Sequence, residues 1–164
     1  MNESQALRVA VLMGSPSDWD TMKHTSAMLE ELGVPHECKA ISAHRQPEIL
    51  HAYVREAETR GVRVFIGAAG GAAHLPGVLA SLTALPVLGV PMKGWATEGL
   101  DALLSIAQMP GGVPVGTLAI GKAGAKNAAI LAAQILGLAE APYAEAVRAF
   151  RKAQSDRDTA LPPA

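Results

Sequence analysis

Arg8-Val9-Ala10-Val11-Leu12-Met13, running into Gly14-Ser15-Pro16-Ser17-Asp18-Trp19, decides the fold. An apolar run without alternation reads as a strand buried on both faces. Such a strand needs helices above and below its sheet. Gly14 ends it, and polar residues then open a helix over Asp18–Leu32, with an apolar stripe at Met22, Ala27, Met28 and Leu32. Gly33 stops that helix, since glycine accepts the left-handed conformation a helix end requires. Strand, polar loop and helix together are half of a βαβ unit.

The same unit recurs along the chain. Val34–Ile41 reads as a second strand, with Pro35 confined to its start. Pro47 opens a helix whose inward face is Ile49, Leu50, Tyr53, Val54 and Ala57, closed by Gly61. Val62–Ile66 is a third strand, leading into Gly67-Ala68-Ala69-Gly70-Gly71. A helix over His74–Leu82, a strand over Pro86–Val90, a helix over Thr97–Ala107 and a strand over Val115–Ile120 follow. Ala123–Leu136 is a helix apolar nearly all round, which predicts burial on more than one side and suggests a subunit interface. Pro142 opens a last helix to about Arg157, a candidate to pack on a neighbouring subunit, and the tail Leu161–Ala164 is expected to fray. Five strands alternating with helices predict a three-layer αβα sandwich around a five-stranded parallel sheet, flavodoxin-like in order. Residues 1–164 are expected to form one catalytic domain.

Composition narrows the function. The chain has 164 residues, 49% of them apolar but only 4% aromatic, so small side chains let elements approach closely. The formal net charge of −1 offers no basic stripe for nucleic acid and no acidic tail. A near-neutral, Ala-rich surface resists self-association weakly. The single cysteine, Cys38, excludes an internal disulfide and fits a reducing compartment. The N-terminus lacks a signal core and no stretch spans a bilayer, so the expectation is a cytoplasmic protein without membrane contact.

Three segments follow predicted strands and should open on one edge of the sheet. In the first, Ser15 and Ser17 offer hydroxyls and a helix N-terminus to an anion, and Asp18 is an acceptor for sugar hydroxyls. The simpler alternative is that Ser17 or Asp18 only caps the helix. In the second, Ser42-Ala43-His44-Arg45-Gln46-Pro47, Arg45 suits phosphate and His44 carries a proton near neutral pH. Here the alternative is a capping histidine beside a solvated arginine. In the third, Gly70-Gly71-Ala72-Ala73-His74-Leu75-Pro76, small residues allow backbone N–H groups close to a flat ligand, or His74 is structural.

Other candidates carry less. His24, His36 and His51 read as surface or structural residues without partners, and Cys38 as a buried, inert thiol. No Cys, His or carboxylate cluster has metal-ligand spacing. Gly121-Lys122-Ala123-Gly124-Ala125 reads equally as an anion contact or as a turn and helix start.

Met13–Trp19, Ser42–Pro47, Gly67–Gly77, Ser105–Gly121 and Lys122–Leu136 together resemble the N5-carboxyaminoimidazole ribonucleotide mutase family, the bacterial PurE proteins. The matching stretches run in the family's order from Val9 to about Leu136. The resemblance implies a homo-octameric enzyme of purine biosynthesis that moves a carboxyl group from the exocyclic nitrogen of an aminoimidazole ribonucleotide to carbon 4. It implies no cofactor or metal. By position Ser15, Ser17 and Arg45 match the family's phosphate contacts and Asp18 its ribose contact. His44 matches its acid/base histidine, and Gly71, Ala72, His74 and Leu75 match the loop over the base and carboxyl group. Ser42 opens the His44 motif and counts with the substrate-binding set.

Two departures stand out. Gln46 replaces a residue that is more often Thr, and Met92-Lys93-Gly94-Trp95 replaces a segment that usually contains Ser or Thr. The animal form of the family carboxylates with free carbon dioxide and typically carries Lys at the place of Arg45, so Arg45 favours the mutase. The competing readings are that carboxylase and a non-catalytic nucleotide- or flavin-binding module. A passive binder would have no use for the His44/Arg45 pair beside the His74 loop.

Overall fold

The structure is a computed structural model, described here for residues 6–94 and 96–156. The end of the last predicted helix at Arg157, the 161–164 tail, the N-terminal five residues and Trp95 lie outside the described residues. The strands are β1 (Val9–Met13), β2 (His36–Ala40), β3 (Val64–Ala69), β4 (Val87–Pro91) and β5 (Gly116–Thr117). The helices are α1 (Trp19–Glu31), α2 (Pro47–Thr59), α3 (His74–Leu82), α4 (Leu100–Ala107), α5 (Lys122–Leu136) and α6 (Ala141–Ser155). The strands form one parallel sheet in the order β2-β1-β3-β4-β5. This is the flavodoxin-like order. Its topological switch point falls between β1 and β3, where adjacent loops diverge and leave a crevice.

Alternation along each strand separates two cores. Val9, Val11 and Met13 of β1, with Val64, Ile66 and Ala68 of β3, face the layer built from α1, α5 and α6. Ala10, Leu12, Phe65 and Ala69 face the layer of α2, α3 and α4. Every residue of β1, β3 and β4 is buried, as the unalternated apolar runs require.

Several boundaries moved for identifiable reasons. β3 begins later than expected and includes Gly67, Ala68 and Ala69, which pair with β1 and β4 rather than forming a loop. Gly67 is in the strand because α3 crosses there: a Cβ would lie 2.9 Å from Leu79 Cδ1 and 3.2 Å from the Pro76 Cα. β5 shrinks to two residues because only Gly116 and Thr117 register with β4. β2 starts after Val34, whose N–H instead bonds back to Leu29 of α1. The helix expected from Thr97 begins at Leu100, since Glu98 (φ 55°) and Gly99 (φ 93°) hold left-handed conformations that no right-handed helix continues. Ile49, expected inward, is 55% exposed; the buried face of α2 is Leu50, Tyr53, Val54 and Ala57.

α5 is buried on several sides, as expected, but its cover comes from this chain. α1, α6, β3 and β4 all pack on it. Gly121 and Lys122 form the turn and the start of that helix. Among the described residues no helix is long and apolar enough to cross a membrane.

Candidate active site

The first loop is a tight turn closed by Ser15. Its backbone is extended, and its hydroxyl oxygen accepts the Ser17 N–H at 3.3 Å and the Ser17 hydroxyl at 2.8 Å. Pro16 follows as the first residue of the turn, where its missing N–H costs nothing. Capping therefore falls to Ser15, while the Asp18 side chain makes no cap bond at the start of α1. That leaves the Asp18 carboxylate for the crevice. Burial pushes its pKa above the usual range, against a backbone hydrogen bond at Ser15 that pulls it down.

The second loop is stitched by its own residues. The Ser42 N–H donates to Gln46 Oε1 at 3.1 Å, the Gln46 N–H donates to the Ser42 carbonyl at 2.9 Å, and the Arg45 N–H donates to Ser42 Oγ at 3.3 Å. Ser42 is buried and His44 and Arg45 are pushed to the exposed tip. Gln46 thus has a structural task, since its amide fastens the loop. Gln46, not His44, stands at the cap position of α2, so His44 is free. The Arg45 guanidinium reaches back to the Gly14 carbonyl at 3.4 Å, which draws the second loop onto the first.

The third loop carries strain. Gly71 has φ 61° and Ala73, a residue with a Cβ, sits at φ 48°, ψ 44°. A left-handed non-glycine residue costs on the order of 1–3 kcal/mol and persists only where the surroundings impose it. They do: the Ala73 N–H bonds the Gly70 carbonyl at 3.1 Å, and the Ser105 hydroxyl of α4 donates to the Ala72 carbonyl. The turn delivers His74 as the first residue of α3. Its Nδ1 lies 2.7 Å from His44 Nε2, with the rings edge to face at 81° and centroids 4.9 Å apart.

The three loops enclose a cleft of about 980 Å³ beyond the carboxyl ends of β1, β2 and β3. Ser15, Ser17, Asp18, Ser42, His44, Arg45, Gly71, Ala72, His74 and Leu75 all line it. Met92, Lys93 and Gly94, from the segment that departs from the family's pattern, line it too, as does Asp101, which the sequence reading does not reach. The signal for residues 92–94 is in the chain order: β4 ends at Pro91, so its following loop opens on the same edge by the same rule.

The residues set aside fall elsewhere. His36 is structural, but it has partners: Ser26 Oγ lies 2.7 Å from Nε2 and the Val34 carbonyl 3.0 Å from Nδ1. Cys38 is half-buried rather than buried, because β2 is an edge strand, and burial pushes its thiol pKa up.

A family model described as AIR carboxylase matches residues 8–157. The chain belongs to the AIR carboxylase family. N5-carboxyaminoimidazole ribonucleotide mutase of Pseudomonas aeruginosa is 58% identical over 148 residues, covering 90% of this chain and 91% of that one. The protein of the same name from Escherichia coli K12 is 54% identical over 149 residues, covering 91% and 88%. The one from Bacillus subtilis is 59% identical over 128 residues, covering 78% and 79%. Among solved structures, Treponema denticola PurE superposes with a TM-score of 0.81 at 26% identity over 90% of each chain. That solved structure shares this chain's fold.

Proposed function

We propose that this chain is a mutase that converts N5-carboxyaminoimidazole ribonucleotide to 4-carboxy-5-aminoimidazole ribonucleotide in purine biosynthesis. Family membership supports the reaction. The observation that carries the chemistry is the His44–His74 contact inside a cleft whose other wall is Ser15, Ser17 and Arg45.

In this reading Ser15, Ser17 and Arg45 take the phosphate. Arg45 provides charge and the serines provide short donors beside a helix start. Asp18 accepts from the ribose hydroxyls. Gly71, Ala72 and Leu75 lie flat against the imidazole, where small side chains leave room for a planar ring. Ser42 holds the His44 loop in shape. Arg45 fits the mutase rather than the carboxylase form.

The carbamate C–N bond breaks first and releases carbon dioxide within the cleft, while protonated His44 gives its proton to the departing nitrogen. Carbon 4 of the ring then attacks the carbon dioxide and forms the new C–C bond. His44, now neutral, removes the proton from carbon 4 and restores aromaticity. One proton is given and one is taken, so His44 ends as it began. Holding both fragments in one site replaces an encounter in solution with a positioned reaction, and closure over the gas prevents its loss.

Residues 1–164 act as one catalytic domain in a cytoplasmic homo-octamer in this proposal. Leu100 and Leu104, one turn apart on α4, and Leu138 before α6 leave apolar surface that supports such contacts. The test is to supply 5-aminoimidazole ribonucleotide either as its carbamate or with bicarbonate. A mutase turns over the carbamate far faster. Equal rates would point to the carboxylase instead.

A further inference from the structure

We infer that Lys93 binds the migrating carboxylate, in exchange for its ion pair with Glu98. The inference rests on the reaction proposed above and adds a binding residue to it. Among the described residues, the lysine and arginine side chains lining the cleft are Arg45 and Lys93. They stand at opposite ends: Arg45 follows β2 and Lys93 follows β4. The Arg45 guanidinium reaches the Gly14 carbonyl beyond β1, and in the order β2-β1-β3-β4 that strand is two spacings from β4, roughly 10 Å. The substrate also carries two anionic groups at opposite ends, the phosphate and the carboxylate. With the phosphate on Ser15, Ser17 and Arg45, the ring falls toward His44 and His74, and the next positive charge along the sheet edge is Lys93.

The backbone around Lys93 is fixed while its side chain is exposed. The Met92 N–H donates to the Ala69 carbonyl at 2.9 Å, and the Gly121 N–H donates to the Pro91 carbonyl at 2.8 Å. Gly99 packs so closely that a Cβ there would lie 3.2 Å from the Lys93 Cα. The Lys93 side chain, by contrast, is 70% exposed, and its ammonium meets Oε2 of the equally exposed Glu98 side chain at 2.9 Å. An exposed ion pair of this kind contributes little. It is readily exchanged for a substrate carboxylate that the rest of the bound nucleotide holds in place. Glu98 already shows the ammonium holding a carboxylate in this segment. Its φ of 55° places it in the turn before α4, beside the cleft rather than within its lining. A cation there also stabilises the charge that gathers on the carboxylate as carbon 4 attacks carbon dioxide.

The experiment measures equilibrium binding of 4-carboxy-5-aminoimidazole ribonucleotide and of 5-aminoimidazole ribonucleotide, which lacks the carboxylate. It uses the full chain and its Lys93→Met, Lys93→Arg and Glu98→Gln variants. Lys93→Met should weaken the carboxylated nucleotide about tenfold or more and leave the other within about twofold, which also shows that the variant is folded. Lys93→Arg should keep most of the preference, and Glu98→Gln should tighten the carboxylated nucleotide by about threefold by removing the competitor. Equal weakening of both nucleotides would move Lys93 to the phosphate and overturn the assignment, as would no change in either. A wild-type chain that binds neither nucleotide overturns the reaction itself, and the Lys93 assignment with it.

Discussion

His44 Nε2 and His74 Nδ1 lie 2.7 Å apart, although thirty residues separate them in the chain. At that distance one nitrogen donates and the other accepts, so a single proton bridges the rings. His74 thereby selects which tautomer of His44 faces the substrate and holds the ring against rotation. His74→Ala is expected to lower kcat by about tenfold, the worth of one hydrogen bond to a catalytic group. His74→Asn, which keeps a side-chain amide at that place, should retain more. A changed pH profile of kcat in His74→Ala separates this role from simple packing.

Arg45 is predicted to act mainly on binding. Arg45→Ala should weaken nucleotide affinity by about ten- to a hundredfold, the range for a lost charge-assisted contact. Turnover at saturation should stay near the wild-type value. Arg45→Lys should fall between, because an ammonium lacks the two-pronged geometry of guanidinium. Titration calorimetry with the nucleotide measures each case.

Asp18 is held above the ordinary Asp value of about 3.9 by burial. The folded chain therefore binds the Asp18 proton more tightly than the unfolded chain does. Its contribution to stability is complete below the unfolded pKa and disappears as the pH rises through the folded value. Asp18→Asn removes this titration. Thermal melts of the unliganded variant should lose less stability than wild type from roughly pH 4 upward. Nucleotide affinity should fall in the same variant, because an amide presents one acceptor where the carboxylate presents two.

Gly124 is predicted to be irreplaceable for stability. A Cβ there would sit 1.6 Å from the Ala119 carbonyl oxygen, which is backbone and has no side chain to rotate away. Gly124→Ala should cost about 3 kcal/mol or more, at the upper end of overpacking changes. Urea denaturation would show it as a lowered midpoint at unchanged slope.

The legible part of this protein is what period and chain order encode. β1 and β4 announce themselves as apolar runs, and Gly33 and Gly61 mark helix ends by their positive φ values. The three site loops could be placed on one edge because parallel strands all end there. Gly67 was opaque, since a glycine that admits a crossing helix looks like a glycine that makes a loop. β5 was overestimated because a β-branched run carries no record of how few residues find a partner. The His44–His74 contact and the Lys93–Glu98 pair depend on loop shapes set by Ser42, Gln46, Ser105 and the turn at Glu98. Adjacency in sequence does not reveal them.

In the proposed mechanism one imidazole, His44, carries the proton in both halves of the carboxyl shift. Its most direct measurement is the turnover of N5-carboxyaminoimidazole ribonucleotide by His44→Asn, taken with the affinity of the same variant for the product nucleotide. Affinity should stay within about threefold of wild type, and kcat should fall by about 10²–10⁴, the usual contribution of a positioned acid or base. A His44→Asn enzyme that keeps its affinity and still turns over within about tenfold of wild type would contradict it.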